Sequence, residues 1–151
     1  MFEFSTMIGP TGKIPGFMRP ETAQGIFVNF KKLLEFNNQR VPFAAAQVGL
    51  AYRNEIAPRG GLVRVREFQQ AEIEHFCGAD GGKKHPKFDE VKDTVMILLP
   101  KGNQTGEDKI IKKTIGDAVK DGDVSTETLG YYLARSQMYY EEIGINLGEF
   151  R

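Results

Sequence analysis

The segment from residue 51 to residue 72, AYRNEIAPRGGLVRVREFQQAE, limits the fold most strongly because it has the pattern of an antiparallel hairpin. Residues 51–55 and 64–72 have the composition of extended chain. Residues 56–62 between them contain a proline and a pair of glycines, which are typical of a loop. We therefore predict two strands that lie side by side and are joined by this loop.

Alternation along these two strands groups the polar residues, because successive side chains of a strand point to opposite faces. The first strand is expected to present Arg53 and Glu55 on one face. The second strand is expected to present these residues on one face: Arg64, Arg66, Phe68, Gln70 and Glu72. The result is a surface with guanidinium groups, an aromatic ring and a carboxylate.

The dimensions of this surface suit a nucleotide. At a rise of about 3.3 Å per residue, Phe68 and Glu72 lie about 13 Å apart, which is comparable to the reach of a nucleotide with a small charged group at its phosphate end. A purine can stack on Phe68, Arg53 offers a planar fork of donors to a phosphate, and Glu55 can accept from an exocyclic amine. On residue types alone, the commoner explanation is a solvated hairpin whose Arg and Glu side chains pair across the strands.

The spacing of these residues resembles a family signature. Arg53-x-Glu55, a loop and then Arg64-x-x-x-Phe68-x-x-x-Glu72 is similar to the second signature motif of class II aminoacyl-tRNA synthetases. Glycyl-tRNA synthetases of the homodimeric type resemble this chain in three longer segments: RPETAQGIF at 19–27, PFAAAQVG at 42–49 and RNEIAPR at 53–59. Histidyl-tRNA synthetase has a similar Arg-Pro-Glu and a related hairpin, so the class is indicated more strongly than the amino acid.

The resemblance implies a role for each residue of the motif. Arg53 would be the catalytic residue and contact the α-phosphate of ATP, while Phe68 would stack on adenine. The full set of expected ATP-binding residues is Arg53, Asn54, Glu55, Arg64, Val65 and Phe68. Glu21 and Glu72 would hold the ammonium group of glycine, which has no side chain to recognise. Arg59, in the loop, would meet the tRNA end or the terminal phosphates.

The reaction that the resemblance implies is amino-acid activation followed by transfer. Glycine would react with ATP and Mg²⁺ to give glycyl-adenylate, a step that depends on positioning and on neutralising charge. tRNA(Gly) would then accept the glycyl group. The first and third signature motifs are absent from the sequence, so we expect an incomplete part of an enzyme that is a homodimer in the family. The alternatives are a catalytically inactive module that binds RNA or a partner, and another class II synthetase such as histidyl.

Composition is consistent with a soluble domain. The chain has 151 residues, no formal net charge and one cysteine. The balance of charge lacks the basic excess of a dedicated RNA-binding domain. A single cysteine, without a signal-like or membrane-length apolar run, predicts a reducing compartment and no membrane. We expect the cytoplasm, with a mitochondrion or another organelle as the alternative.

The expected fold class is α+β, with part of the class II antiparallel-sheet catalytic domain in residues 1–77 and a mixed α/β insertion in residues 78–151. The elements expected before the hairpin are a strand at 2–7, a Gly/Pro turn at 9–16 and a helix at 22–36. The apolar face of this helix is expected to be core: Ala23, Ile26, Phe27, Phe30, Leu33 and Leu34. Residues 41–50 are small and are expected to pack beside the first strand.

The second part is expected to contain a strand at 94–99, a polar loop at 101–108, a short helix at 117–120 and a longer helix from Ser125 to Gly144. The expected inner face of the longer helix is Leu129, Tyr132, Leu133, Ser136, Tyr140 and Ile143. Its tyrosines are expected to pack in the core and not to stack on bases, since no basic residues interleave with them.

Two further residue groups invite a functional interpretation. His75, Cys77 and His85 lack a complete ligand set and a recognised spacing, so we predict no metal site. Residues 83–84, a Lys-Lys pair, are expected to form a solvated turn, with contact to tRNA as the alternative.

Overall fold

The computed structural model describes residues 2–3, 15–103 and 110–149. The chain divides into two compact units, residues 1–77 and residues 78–151. Within the described ranges there are α-helices and two-stranded antiparallel sheets, as in the α+β class. The functions expected of the two parts, catalytic core and insertion, stay predictions.

The first unit contains the hairpin and the segment before it. Its elements are β1 (Phe2–Glu3), β2 (Phe17–Met18), α1 (Ala23–Val28), α2 (Phe30–Phe36), β3 (Phe43–Tyr52) and β4 (Glu67–Phe76). β1 pairs antiparallel with β2. The strand predicted at 2–7 is described only as β1, and its remainder, with residues 9–14 of the predicted turn, lies outside the described residues.

The predicted helix at 22–36 is two helices, α1 and α2, separated at Asn29. The Asn29 side-chain amide donates to the Gly25 carbonyl at 2.8 Å, and its backbone leaves the helical region at φ −96° and ψ 7°. The predicted burial is correct for Ala23 and Ile26 but wrong for Phe27, which is 54% exposed. α2 has no buried residue. The break accounts for the residues of α2, because only an uninterrupted helix would have kept them in one apolar stripe with Ala23 and Ile26.

The predicted antiparallel hairpin is confirmed by β3 and β4. Their pairing runs from Phe43 opposite Phe76 to Tyr52 opposite Glu67. Residues 43–50, expected to pack beside the first strand, are the strand itself, and the connection extends from Arg53 to Arg66. The expectation failed because an alanine-rich run has a weak strand signal, whereas pairing with β4 supplies the missing stability.

One face of this hairpin is covered by the segment around α1. Exposure alternates along both strands, and the more covered face carries the odd residues of β3 and the even residues of β4. Arg19 lies across this face: its Nε donates to the Leu50 carbonyl at 2.8 Å, and its carbonyl accepts from the Tyr52 amide at 2.9 Å. A Cβ on Gly49 would overlap Arg19 Nη2, so any side chain at residue 49 would displace the Arg19 guanidinium from its present position.

The second unit contains β5 (Val95–Leu98), β6 (Ile111–Thr114), α3 (Ile115–Lys120) and α4 (Glu127–Glu142). β5 confirms the strand predicted at 94–99, and α3 confirms the short helix, which begins two residues earlier than predicted. β6, which pairs antiparallel with β5, was not predicted. Residues 104–108 of the predicted polar loop lie outside the described residues, and Lys101–Asn103 form a 3₁₀ turn.

α4 confirms the predicted long helix, but its start and its inner face differ from prediction. Thr126, and not Ser125, caps it: the Thr126 hydroxyl accepts from the Leu129 amide at 3.1 Å. The buried residues of α4 are Thr128, Gly130 and Ala134. The predicted inner face is wrong, since Leu129 is 45% exposed and Ile143 is 53% exposed.

Small residues decide which face of α4 is buried. Ala134 belongs to a core cluster with Val91, Met96, Ile115, Ala118 and Val124. A Cβ on Gly130 would lie within 3.2 Å of Val119, Phe88 and Ile115. The helix therefore approaches α3 through its glycine and alanine, while its Tyr131 and Met138 pack against the core cluster from partly buried positions.

Replacing Gly130 by valine is expected to destabilise the chain. A Cβ would already lie 3.0 Å from Val119 Cγ2 and 3.1 Å from Phe88 Cε2, so two further methyl groups have no room. Overpacking of this kind costs about 1–3 kcal/mol, more than the gain in helix propensity on removing a glycine. Chemical unfolding measures the change in the free energy of unfolding.

Glu141→Val is the matched control, because it places the same side chain on an exposed position of α4. Its free energy of unfolding should change by less than about 0.5 kcal/mol. Equal losses in the two variants would contradict the packing of α4 described above.

Candidate active site

The connection between β3 and β4 lines an open pocket of about 500 Å³, which we call the loop cavity. It is lined by Arg53, Asn54, Glu55, Ile56, Ala57, Arg59 and Arg64. Its size lies in the range of small-molecule sites. Guanidinium groups dominate its charge, with one carboxylate beside them, so it suits an anionic ligand that also offers a hydrogen-bond donor.

Backbone contacts in the connection place the predicted nucleotide-binding residues. The Arg53 amide donates to the Arg66 carbonyl at 3.0 Å, and Arg66 Nε donates to the Glu55 carbonyl at 3.0 Å. Gly60 and Gly61 adopt positive φ angles of 69° and 62°, which permit the tight return of the chain. The predicted alternation of faces is therefore wrong for this part of the motif, because the loop and not a pleated strand sets these side chains.

Arg64 also lies in the loop, before β4 begins. It forms an isolated antiparallel bridge with Arg59, so the predicted strand position on the face of Phe68 is wrong for Arg64. Val65 is half-buried between this bridge and β4. Val65 and Phe68 do not line the loop cavity, whereas Arg53, Asn54, Glu55 and Arg64 do.

Phe68 and Arg53 contact each other at the junction of the loop and the strands. The Arg53 guanidinium carbon lies over the Phe68 ring, 5.3 Å from its centroid, in the geometry of a cation–π contact. Phe68 pairs with Ala51 across the hairpin, on the more covered face. The predicted juxtaposition of a guanidinium and an aromatic ring is therefore present.

Glu72, further along the same face of β4, is bound to the start of α1. Its Oε2 accepts from the backbone amides of Thr22 at 2.6 Å and of Ala23 at 2.7 Å, and from the Thr22 hydroxyl. Sequence analysis gave Glu72 a role in binding glycine but missed this contact. The carboxylate ties β4 to the segment that carries Glu21.

These contacts keep the carboxylate charged. The hydrogen bond from the Thr22 hydroxyl lowers the pKa of Glu72, with further lowering from the amides of Thr22 and Ala23 and from the charge of Arg53. Loss of hydration acts in the opposite direction and is outweighed. The charge of Arg53 is the smallest of these influences.

Glu21 is half-buried and directly precedes Thr22, so the backbone places it beside the contact between Glu72 and α1. Of the predicted site residues, Arg53, Phe68 and Glu72 are joined by contact or by charge, and Glu21 is joined to them through its neighbour Thr22.

Polar groups that the sequence analysis missed complete this face. The Gln47 amide, oriented to satisfy both neighbours, donates to the Thr22 carbonyl at 2.9 Å and accepts from Arg19 Nη1 at 2.9 Å. Gln70 Oε1 is buried without a hydrogen-bond partner among the described residues. Gln70 lies between Phe68 and Glu72 on the strand face, so an unsatisfied acceptor separates the ring from the carboxylate.

The groups outside this site have structural partners. Lys84 Nζ pairs with Glu127 Oε1 at 2.6 Å, and the ring of His85 stacks on Tyr131 with centroids 4.0 Å apart. Among the described residues there is no group of three or more His, Cys, Asp or Glu side chains that could hold a metal ion. The solvated turn predicted for residues 83–84 and its alternative, contact with tRNA, stay predictions.

The sequence matches a known family model and several curated proteins. A family model described as tRNA synthetase class II core domain (G, H, P, S and T) matches residues 16–126. The chain is 58% identical to the glycine–tRNA ligase of Bombyx mori over 143 residues, 95% of this chain and 19% of the relative. It is 52% identical to the mitochondrial glycine–tRNA ligase 1 of Saccharomyces cerevisiae over 149 residues, 98% of this chain and 21% of the relative.

A third relative, the glycine–tRNA ligase of Methanococcus maripaludis strain C7, is 47% identical over 153 residues, 98% of this chain and 27% of the relative. The chain spans about a fifth to a quarter of the length of the curated relatives it matches. No helix in the described ranges is both long enough and apolar enough to cross a bilayer.

Glu72→Gln is expected to destabilise the chain at neutral pH and progressively less in acid. Because the pKa of Glu72 is lowered from about 4.5 in the folded state, its stabilising effect is fully present above that value. The effect is lost as the pH falls through the lowered folded value. The difference in the free energy of unfolding between wild type and variant should therefore be constant from about pH 7 to about pH 5 and shrink as the pH falls further.

Glu74→Gln is the control. Glu74 lies on the same face of β4 as Glu72, but its carboxylate does not hydrogen-bond to α1. Its effect on unfolding should depend less on pH than that of Glu72→Gln. The same pH dependence in both variants would count against the contact between Glu72 and Thr22 as its cause.

Proposed function

The chain belongs to the family of class II tRNA synthetase core domains, and we propose that it is part of an enzyme that joins glycine to tRNA(Gly) with ATP. The relatives named as glycine–tRNA ligases support glycine over the other amino acids of the family. The observation that carries the proposal is the arrangement of Arg53, Phe68 and Glu72. A guanidinium contacts the ring and also lowers the pKa of the carboxylate.

We assign ATP to the loop cavity and the adjoining face of β4. Adenine would stack on Phe68, in the place that the Arg53 guanidinium takes over the ring, and Glu55 would accept from its exocyclic amine. Arg53 would then bind the α-phosphate, exchanging a cation–π contact for charge-assisted hydrogen bonds. The remaining contacts would come from Asn54, Arg64 and Val65. Arg59 would meet the terminal phosphates or the tRNA end.

We assign the ammonium group of glycine to the carboxylates of Glu72 and Glu21. Glu72 is charged and fixed at the start of α1, which suits a cation that must be held in one position. Gln70 Oε1, unsatisfied among the described residues, would accept a hydrogen bond from the substrate between Phe68 and Glu72. Larger amino acids would be excluded by lack of room beside the α-carbon.

The reaction would proceed by attack of the glycine carboxylate on the α-phosphorus of ATP, with pyrophosphate as the leaving group. The carboxylate is already ionised at neutral pH, so this step needs no general base. Arg53 would act as the catalytic residue by stabilising charge on the α-phosphate oxygens. The terminal ribose hydroxyl of tRNA would then attack the glycyl-adenylate and release AMP.

Mg²⁺ would accompany ATP and share the negative charge of its phosphates. Mg²⁺ bound with a nucleotide typically takes much of its coordination from phosphate oxygens, so the oxygens of ATP would be among its ligands. We further propose a homodimer, as in glycyl-tRNA synthetases of the homodimeric type, and a cytoplasmic location. A mitochondrial location is the alternative, which the name of the yeast relative supports.

Pyrophosphate exchange with a full-length enzyme that carries this sequence tests the proposal. Exchange should depend on glycine. Glu72→Gln should raise the KM for glycine about tenfold or more, because it removes the charge that meets the ammonium group, and should change the KM for ATP little. Phe68→Leu should do the reverse, since stacking on adenine is lost.

An amino-acid panel in the same assay separates the alternatives. Exchange that depends on histidine would support the second candidate, which the family model also covers. Exchange with no amino acid of the family would favour a catalytically inactive binding module. A Glu72→Gln enzyme with unchanged glycine dependence would contradict the assignment of Glu72.

A further inference from the structure

Thr22 is buried completely and directs both of its hydrogen-bond donors at one carboxylate. Its exposed fraction is 0%, and it is among the largest fully buried side chains of the described residues. Its amide donates to Glu72 Oε2 at 2.6 Å, and its hydroxyl donates to the same oxygen. A buried hydroxyl of this kind has no solvent to replace its partner, so the contact fixes the orientation of both side chains.

The two oxygens of the Glu72 carboxylate have different environments. Oε2 accepts from Thr22 and from the Ala23 amide, while Oε1 makes no hydrogen bond within the part of the chain that the structure describes. Because every donor from α1 meets one oxygen, the other remains available on the strand face that carries Phe68 and Gln70.

The backbone carbonyl of Thr22 is held by a residue of β3, whereas its amide and hydroxyl contact β4. Gln47 donates to the Thr22 carbonyl at 2.9 Å and accepts from Arg19 Nη1 at 2.9 Å. Gln47 is also the residue that pairs with Glu72 across the hairpin. Thr22 is therefore held by β3 through its carbonyl while it holds β4 through its amide and hydroxyl.

We propose that Thr22 is a positioning residue for the amino-acid substrate: its hydroxyl fixes Glu72 so that Oε1 meets the ammonium group of glycine. This inference rests on the proposed function and adds a residue to it. Thr22 does not touch the substrate and acts through Glu72. For an amino acid without a side chain, the position of the ammonium group is the main feature that a site can fix, so the orientation of this carboxylate matters.

The test measures KM for glycine and for ATP by pyrophosphate exchange, in a full-length enzyme that carries this sequence. Thr22→Val keeps the size and branching of the side chain but removes its donor, and Thr22→Ser keeps the donor. Thr22→Val should raise the KM for glycine about tenfold and change the KM for ATP less than about twofold. Thr22→Ser should stay within about twofold of wild type for both substrates.

The control is Thr126→Val, which removes the hydroxyl that caps α4 in the second unit. It should lower the unfolding temperature and leave both KM values unchanged, so a loss of stability alone can be recognised. If Thr22→Val fails to fold, Thr22→Ala takes its place with the same expected result.

Three results would overturn the inference: equal rises of both KM values in Thr22→Val, no rise of either, or a Thr22→Ser enzyme as defective as Thr22→Val. The wild-type enzyme separates this inference from the proposed function. Glycine-dependent exchange in the wild type, without the split in Thr22→Val, would remove only the role of Thr22. Absence of glycine-dependent exchange in the wild type would remove the proposed function itself.

Discussion

A single carboxylate oxygen joins the two segments that form the site. Glu72 Oε2 binds Thr22 and Ala23, which lie 50 and 49 residues away in sequence, and so places the start of α1 on the face of β4. Loss of hydration favours the neutral form of a carboxyl group, but the hydrogen bonds and the charge of Arg53 outweigh it and lower the pKa of Glu72. The same contact therefore positions a helix and maintains the negative charge that an ammonium ligand needs.

The paired strands of the hairpin and the connection between them hold different groups. The paired strands fix Phe68 and Glu72, whereas Arg53 and Glu55 lie in the connection, where backbone hydrogen bonds to Arg66 set their positions. A ring and a carboxylate on a sheet suit the recognition of a base and an amine, which must be held in fixed positions. Guanidinium groups in a loop suit phosphates, whose charge moves during the reaction.

Local patterns predicted more of this chain than distant contacts did. The hairpin could be found because proline and paired glycines mark its loop, and the residues of its motif resemble a known signature. The start of β3 was missed because its alanines give little strand signal, and the inner face of α4 was misjudged because small residues, Gly130 and Ala134, are buried in place of large ones. No local pattern signals the contact of Thr22 with Glu72, because the two residues lie 50 positions apart in the sequence.

The most direct test of this account is a crystal structure of a full-length enzyme that carries this sequence, bound to a non-hydrolysable analogue of glycyl-adenylate. We expect adenine against Phe68, Arg53 on the group that replaces the α-phosphate, and the ammonium nitrogen within hydrogen-bond distance of Glu72 Oε1. An analogue whose ammonium group binds away from Glu72, or whose adenine lies away from Phe68, would contradict the account.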